Sequence, residues 1–391
     1  MSSLIDKLNY TNETKEAIKK AIEDKGVVLE EDATFRDFAA AISSIEGGGA
    51  GEAIPEEALK LTGNCSYRFA NGGWDWFVEK YGNQITTENI INLVNMFSGS
   101  NLEDIPFDIN IGLDAQLPID NVFNNCRKLK NIPNINNLIP ASMPYLFKCC
   151  YLLREIPDSF CDTWDWSYIE NQTSGYVGNM SGMFNECYSL RKIPQELISH
   201  INPNAVYSMG LYYNGFSSCY TLDEITDLVV PYKAVYTSNT FSSTFYYCCR
   251  LKKLTFKKNE DGTPIAVQWK SQTIDLSSNA GYGRFADYIT KYNSGLTTAT
   301  QITDDATYQA LKDNPDNWTV YINYSRYNKT SAIETINSLP DTSTYLASAG
   351  GTNTIKFNGA AGALTDGGAI NTMTEEEIAV ATAKGWTVSF V

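Results

Sequence analysis

Phe184-Asn185-Glu186-Cys187-Tyr188-Ser189-Leu190-Arg191-Lys192-Ile193-Pro194 is the stretch on which the reading of this chain turns. Its apolar residues fall at every third position. Cys stands three residues after Phe, Leu six, Ile nine, and Pro closes the run at ten. The same frame lies upstream as Phe123, Cys126, Leu129, Ile132, Pro133 and as Phe147, Cys150, Leu153, Ile156, Pro157. Downstream it recurs as Phe216, Cys219, Leu222, Ile225 with Thr226 in place of Pro, and as Phe245, Cys248, Leu251, Leu254 with Thr255 there. A degenerate copy sits at Met96-Phe97, Leu102, Ile105 and Pro106. Successive phenylalanines from Phe123 are 24, 37, 32 and 29 residues apart. A four-position frame repeated five times at such intervals predicts a solenoid of stacked units.

Each unit reads as a tight turn or short helix ending near the Cys. A brief extended piece follows from Leu to Ile, and Pro keeps it short. Phe, Cys, Leu and Ile are expected to point inward and stack on their counterparts. Arg127-Lys128 and Arg154-Glu155 are expected to point out. Unequal spacing means insertions, the longest from Cys161 to Asn179, and these belong on loops.

The flanks differ in character. Residues 1–46 read as a helical segment. Asn12 opens a helix with Glu13 and Glu16 in its first turn, Ile18, Ala21 and Ile22 follow at helical spacing, and Gly26 stops it. A second helix opens at Thr34 and lines up Phe35, Phe38, Ala41, Ile42 and Ile45. Two such helices bury little alone, so Ile18, Ile22, Phe35, Phe38 and Ile42 are read as an anchor that packs on another chain or a partner. Residues 47–55 carry Gly47-Gly48-Gly49-Ala50-Gly51, a flexible linker. Residues 56–91, with Trp74, Trp76 and Phe77, read as the cap that shields the first rung of the array over 92–258. Residues 259–391 carry a weaker duplication. Thr273-Ile274-Asp275-Leu276 leads to Trp318-Thr319-Val320, and Thr354-Ile355-Lys356-Phe357 leads through Thr374–Lys384 to Trp386-Thr387-Val388. Each half reads as strand, helix, strand. Ser331–Leu339 reads as a further helix stopped by Pro340. The fold expected is therefore an α+β repeat with a helical anchor and a β-α-β C-terminal cap.

Composition narrows the chemistry. The chain has 391 residues, is 43% hydrophobic and 19% charged, and carries 30 basic against 45 acidic side chains, a net charge of −15. Such a chain repels phosphate backbones, so no nucleic-acid partner is expected. A single histidine, His200, removes mechanisms that need two and most zinc enzymes. The start shows no secretory signal and no window is apolar enough to span a bilayer, so neither export nor membrane insertion is expected. The nine cysteines then read as thiols in a reducing compartment. In-frame Cys126, Cys150, Cys187, Cys219 and Cys248 lack the short Cys-x-x-Cys spacing of a zinc site and read as small core residues, and no metal or cofactor is expected.

Asn179-Met180-Ser181-Gly182-Met183-Phe184-Asn185-Glu186-Cys187-Tyr188-Ser189-Leu190 resembles the BspA-type leucine-rich repeats of bacterial surface proteins, and the matching frame spans Asn92 to Lys258. Ala381-Thr382-Ala383-Lys384-Gly385-Trp386-Thr387-Val388 resembles the ends of repeat proteins from phages and prophages of gut Bacteroidetes. Leu8–Ile45 is similar to the small N-terminal helical segments of phage structural proteins. The resemblance implies a leucine-rich-repeat-like solenoid, surface or ligand binding, and in the phage members a virion fibre or appendage. It brings no catalytic residue. The irregular repeat lengths and the loss of Pro from the last two copies depart from the pattern.

Two aromatic pairs flank an acid, Trp74-Asp75-Trp76 and Trp164-Asp165-Trp166. Indoles beside a carboxylate suit sugar stacking, and equally suit capping or a subunit interface. Trp164, Asp165 and Trp166, in the longest insertion, are the candidate ligand-binding residues. His200 has no Ser, Cys or carboxylate motif beside it that would build a triad. Arg250, Lys252, Lys253, Lys257 and Lys258 read as a solvated basic face, and the glycine run lacks the Lys-Ser/Thr of a phosphate-binding loop.

The expectation is a non-enzymatic virion protein, a head or tail fibre made in the host cytoplasm and placed on the outer surface of the particle. Residues 1–46 would join capsid or tail proteins, with assembly as a dimer or trimer, and the repeats would meet a host surface protein, a glycan or a neighbouring virion protein. The alternative is a bacterial surface adhesin of the same repeat class. A carbohydrate hydrolase would need paired inward carboxylates ~5–9 Å apart, which the sequence does not place.

Overall fold

The computed structural model describes residues 15–16, 18–24, 27–30, 33, 37–38, 59–112, 115–171, 179–200, 214–233, 241, 243–248, 251, 253–277, 300–302, 320–322, 329–357 and 373–391. The chain divides into two compact units, Met1–Lys60 and Leu61–Val391.

In the first unit residues 15–16 and 18–23 are helical. Ile22, Ala33 and Phe38 are buried together, with Ile18, Val27 and Leu29 packed against them. The Lys19 ammonium donates to the Glu30 carbonyl at 2.9 Å and ties the helix to the segment after it. This corrects part of the anchor reading. Ile22 and Phe38 are spent inside the unit's own small core, because apolar side chains of one short segment meet each other first. Phe35, Ile42 and the run Gly47–Gly51 lie outside the described residues.

The second unit mixes helices with small, mostly parallel sheets, and among the described residues no sheet closes into a barrel. β1 (Lys60–Asn64) pairs with β2 (Thr86–Asn92), and α1 (Asp75–Tyr81) lies between them in sequence. β3 (Ile109–Asn110) and β4 (Gln116–Pro118) pair in parallel with β5 (Ile135–Asn136) and β6 (Ile139–Ser142) respectively. α2 (Ser167–Glu170) and α3 (Glu196–Ser199) precede the parallel pair β7 (Glu224–Leu228) and β8 (Lys253–Phe256). The C-terminal elements are β9 (Thr273–Leu276), β10 (Thr300–Ile302), β11 (Val320–Ile322), α4 (Lys329–Ser338), α5 (Ser343–Ala349), β12 (Asn353–Phe357), α6 (Glu375–Ala383) and β13 (Trp386–Phe390).

A column of phenylalanines organises the middle of this unit. Phe69, Phe97, Phe123, Phe147, Phe184, Phe216 and Phe245 follow one another with ring centroids 5.2–6.0 Å apart and interplanar angles of 4–16°. None is more than 1% exposed. Burying each ring contributes about 1.5–3 kcal/mol, and each ring pair adds about 0.5–1.5. All but one of the other frame residues are buried as well; Ile193, next to the paired Lys192, is half-buried.

The backbone explains the regular spacing. The residues two before and two after Phe take positive φ: Tyr67 and Asn71, Asn95 and Gly99, Asn121 and Asn125, Tyr145 and Cys149, Gly182 and Glu186, Asn214 and Ser218, then Tyr247. Asn and Gly tolerate this left-handed region best, which accounts for their frequency there. The resulting curl turns alternate amides outward. Asn95, Phe97 and Gly99 donate to the carbonyls of Asp120, Val122 and Asn124, and Asn121, Phe123 and Asn125 donate to Pro144, Leu146 and Lys148. The amides between them close local turns, as Met96 to Leu93 and Ser98 to Asn95. Each curl thus offers amides to the copy that follows and carbonyls to the copy before.

Beyond the frame leucine the copies diverge. After Pro106 and Pro133 the copies pair through two short strand pairs, β3 with β5 and β4 with β6, and near Pro157 and Pro194 through a single bridge, Glu155 to Lys192. Where Thr226 and Thr255 replace proline, the longer β7 and β8 pair and Asp227 donates its amide to Thr255 Oγ1 at 3.0 Å. Proline has no amide hydrogen to give to such a ladder.

At the C-terminus β12 is flanked by β9 and β13 in a parallel sheet. Thr374 and Glu377 form a reciprocal capping box that starts α6, and Gly385, at φ +83°, ends it where a Cβ would meet Thr342 Oγ1 at 2.5 Å. The two halves read as a duplication are not equivalent. β12, α6 and β13 form one strand–helix–strand unit, but the strand at Val320–Ile322 pairs with β10 and not with β9. Trp318 lies outside the described residues.

Candidate functional site

The frame cysteines form a second column with a defined task. Cys126, Cys150, Cys187, Cys219 and Cys248 each donate a thiol hydrogen bond, at 3.0–3.1 Å, to the carbonyl of Phe97, Phe123, Phe147, Phe184 and Phe216. That carbonyl belongs to the copy before. Within its own copy the same carbonyl also accepts the amide three residues on, as Cys126 N to Phe123 O. The thiol therefore fills the second lone pair of a buried acceptor. Burial pushes Cys126 up to about 12 and raises Cys150, Cys187 and Cys219 well above the ordinary thiol range. These thiols stay protonated, which suits donation and opposes metal ligation. All eight described cysteines are free, and the described residues hold no metal-binding group of His, Cys, Asp and Glu.

The candidate ligand-binding residues are placed differently from a sugar platform. Trp164 is 7% exposed, donates Nε1 to the Ile135 carbonyl and packs on Phe160 at 5.1 Å. Trp166 is also 7% exposed and lies flat on the His200 ring, 4.7 Å away at 10°. Asp165 is exposed, but its carboxylate is held below the usual carboxylate range by the Ser167 hydroxyl and then by the Ser167 amide, which donates to it at 2.9 Å. This corrects the reading of Trp164 and Trp166 as stacking surfaces, because both indoles are already covered by the protein. Trp164 fastens the insertion to the preceding copy through Ile135, and Trp166 packs it on His200 of the copy that follows.

Trp74-Asp75-Trp76 serves a related end. Asp75 is buried and accepts Ser100 Oγ at 2.7 Å and the Asn101 amide at 2.8 Å. Its carboxylate is therefore occupied. Gly72, at φ +73°, lets the chain pass, since a Cβ there would come within 3.0 Å of that carboxylate. Trp74, Trp76, Phe77 and Tyr81 form a half-buried aromatic cluster on α1, with neighbouring rings 5.2–6.2 Å apart.

His200 is where the structure adds most to the sequence reading. Its Nδ1 lies 2.6 Å from Glu170 Oε1 and its Nε2 3.1 Å from Glu196 Oε2, with 26% of the side chain exposed. Glu170 is thirty residues away in sequence and stands on α2, whereas Glu196 is one helical turn back on α3. Only the second contact had a local signal, the i,i+4 spacing.

Compared with known proteins, the chain matches no family model, no curated protein and no solved structure.

Proposed function

We propose that this chain is a non-enzymatic structural protein of a phage virion, a head or tail fibre whose repeat solenoid presents a binding surface. The observation that carries the reading is the phenylalanine column with its one-way backbone bonding from Phe69 to Phe245. Such a stack builds length by repetition and leaves the residues between frame positions free to vary, which suits presentation of a surface. The polar groups best placed for chemistry are instead engaged in holding the stack, as Asp75, Cys187 and Trp164 illustrate. The acidic balance keeps neighbouring fibres apart and soluble. The resemblance of both ends to phage proteins points the same way, and that of the repeat to the repeats of bacterial surface proteins fits a surface-binding role. In this reading residues 1–46 anchor the fibre, and the almost fully exposed Val28 is one apolar contact point on the anchor.

Light scattering on the full chain and on a chain starting at Glu52 tests the anchor. A dimer or trimer that becomes monomeric on truncation is expected. Monomers in both cases would overturn self-assembly through the N-terminal segment.

A further inference from the structure

We infer that Glu170, His200 and Glu196 form a proton-operated latch that fastens α2, and with it the longest insertion, to α3. A neutral imidazole has one N–H and one lone pair, so it can satisfy only one of two ionised carboxylates. Both ring nitrogens face a carboxylate oxygen within hydrogen-bond distance. The three groups therefore need one proton more than a neutral ring between two carboxylates supplies. With that proton both contacts are charge-assisted, and without it a lone pair faces a carboxylate across one of them. The proton belongs to the set as a whole.

Further acidic side chains stand around the three groups. Glu170 comes from α2 and Glu196 from α3, and the short turn Asp158–Cys161 lies against α3. That turn brings Asp158, which pairs with Lys192 at 2.6 Å, and Asp162 follows it. Burial first, then Glu196, Asp162 and Asp158, push the neighbouring Cys161 thiol up to about 12, a sign of the negative field there. The Trp166 ring covers one face of His200 and fixes its plane toward both carboxylates. No element of the latch belongs to the phenylalanine column, so it can open while the stack stays closed. The inference goes beyond the fibre reading and does not depend on it.

Amide hydrogen exchange on the full chain tests the latch, at about pH 5.5 and about pH 8.5, on either side of the imidazole range. After correction for intrinsic exchange, opening of residues 166–170 and 196–199 is expected to rise about two- to fivefold at the higher pH, the scale of a part-exposed charged contact. His200→Gln is expected to open them equally at both. Ring ¹⁵N spectra of the single histidine should show both nitrogens protonated at the lower pH. Should His200→Gln fail to fold, Glu170→Gln at a half-exposed carboxylate removes one demand for the extra proton and is expected to flatten the pH dependence. Equal protection of the wild type at both pH values would overturn the latch. So would a wild-type pH response in either variant.

Discussion

The copies that close on proline and the two that close on threonine share a core and differ at its margin. Phe184 and Phe216 sit in the same column, each fully buried, and Cys187 and Cys219 make the same thiol bond. Beyond them the proline copies pair through short strands or a single bridge, whereas β7 and β8 run on as a ladder. The curl around Phe therefore carries the stacking, and the segment after it is adjustable.

Substitutions sharpen that division. Phe184→Ala and Phe216→Ala should each cost about 3–5 kcal/mol in chemical denaturation, and equally within error, because the column does not distinguish the two kinds of copy. A large inequality would place the stability in the margins instead. Thr255→Pro should cost about 2–3 kcal/mol, since it deletes both an amide and the hydroxyl that accepts from Asp227. Pro194→Thr, the reverse exchange, should change stability by less than about 1 kcal/mol and lengthen pairing around Lys192, read as added strand signal in circular dichroism.

Cys187→Ala should cost about 1–2 kcal/mol through the lost donor to Phe147 and the small void, and Cys187→Ser should recover part of it. The thiol column also sets an alkaline limit. An unfolded thiol loses its proton near 9.0, whereas folded Cys126 holds its own up to about 12. The folded chain then binds more protons than the unfolded one, so this stability is fully present below about pH 9 and is lost as pH rises toward 12. Urea midpoints between those values should fall less steeply for Cys126→Ala than for the wild type. The smallest effect is expected at the exposed Lys130–Glu103 pair, where Lys130→Ala should shift stability by less than about 0.5 kcal/mol.

The column residues were legible because burial every third position leaves a pattern that repeats along the chain. The positive-φ positions were legible too, in the Asn and Gly that recur two residues to either side of Phe, yet a search for apolar spacing passes over them. The Trp164-Asp165-Trp166 set misled for a physical reason, while the cap reading of Trp74-Asp75-Trp76 lacked only its partners. Trp164 is satisfied by Ile135, and Asp75 by Ser100 and Asn101, partners more than twenty residues away that no local pattern names. His200 was opaque in the same way, since Glu170 reaches it only through the stacking of one copy on another.

The one-way bonding of the curls has a consequence for inheritance. The curls join successive copies within about five residues around each phenylalanine, and the 24 to 37 residues from one to the next add short parallel strands and single bridges and return the chain to the start of the following curl. The curls from Phe69 to Phe216 each offer a donor edge of two or three amides that meets the carbonyls of the next. A gene that loses or duplicates one whole copy in frame brings together two edges that already fit, so the length of the array can change by recombination without a new interface having to evolve.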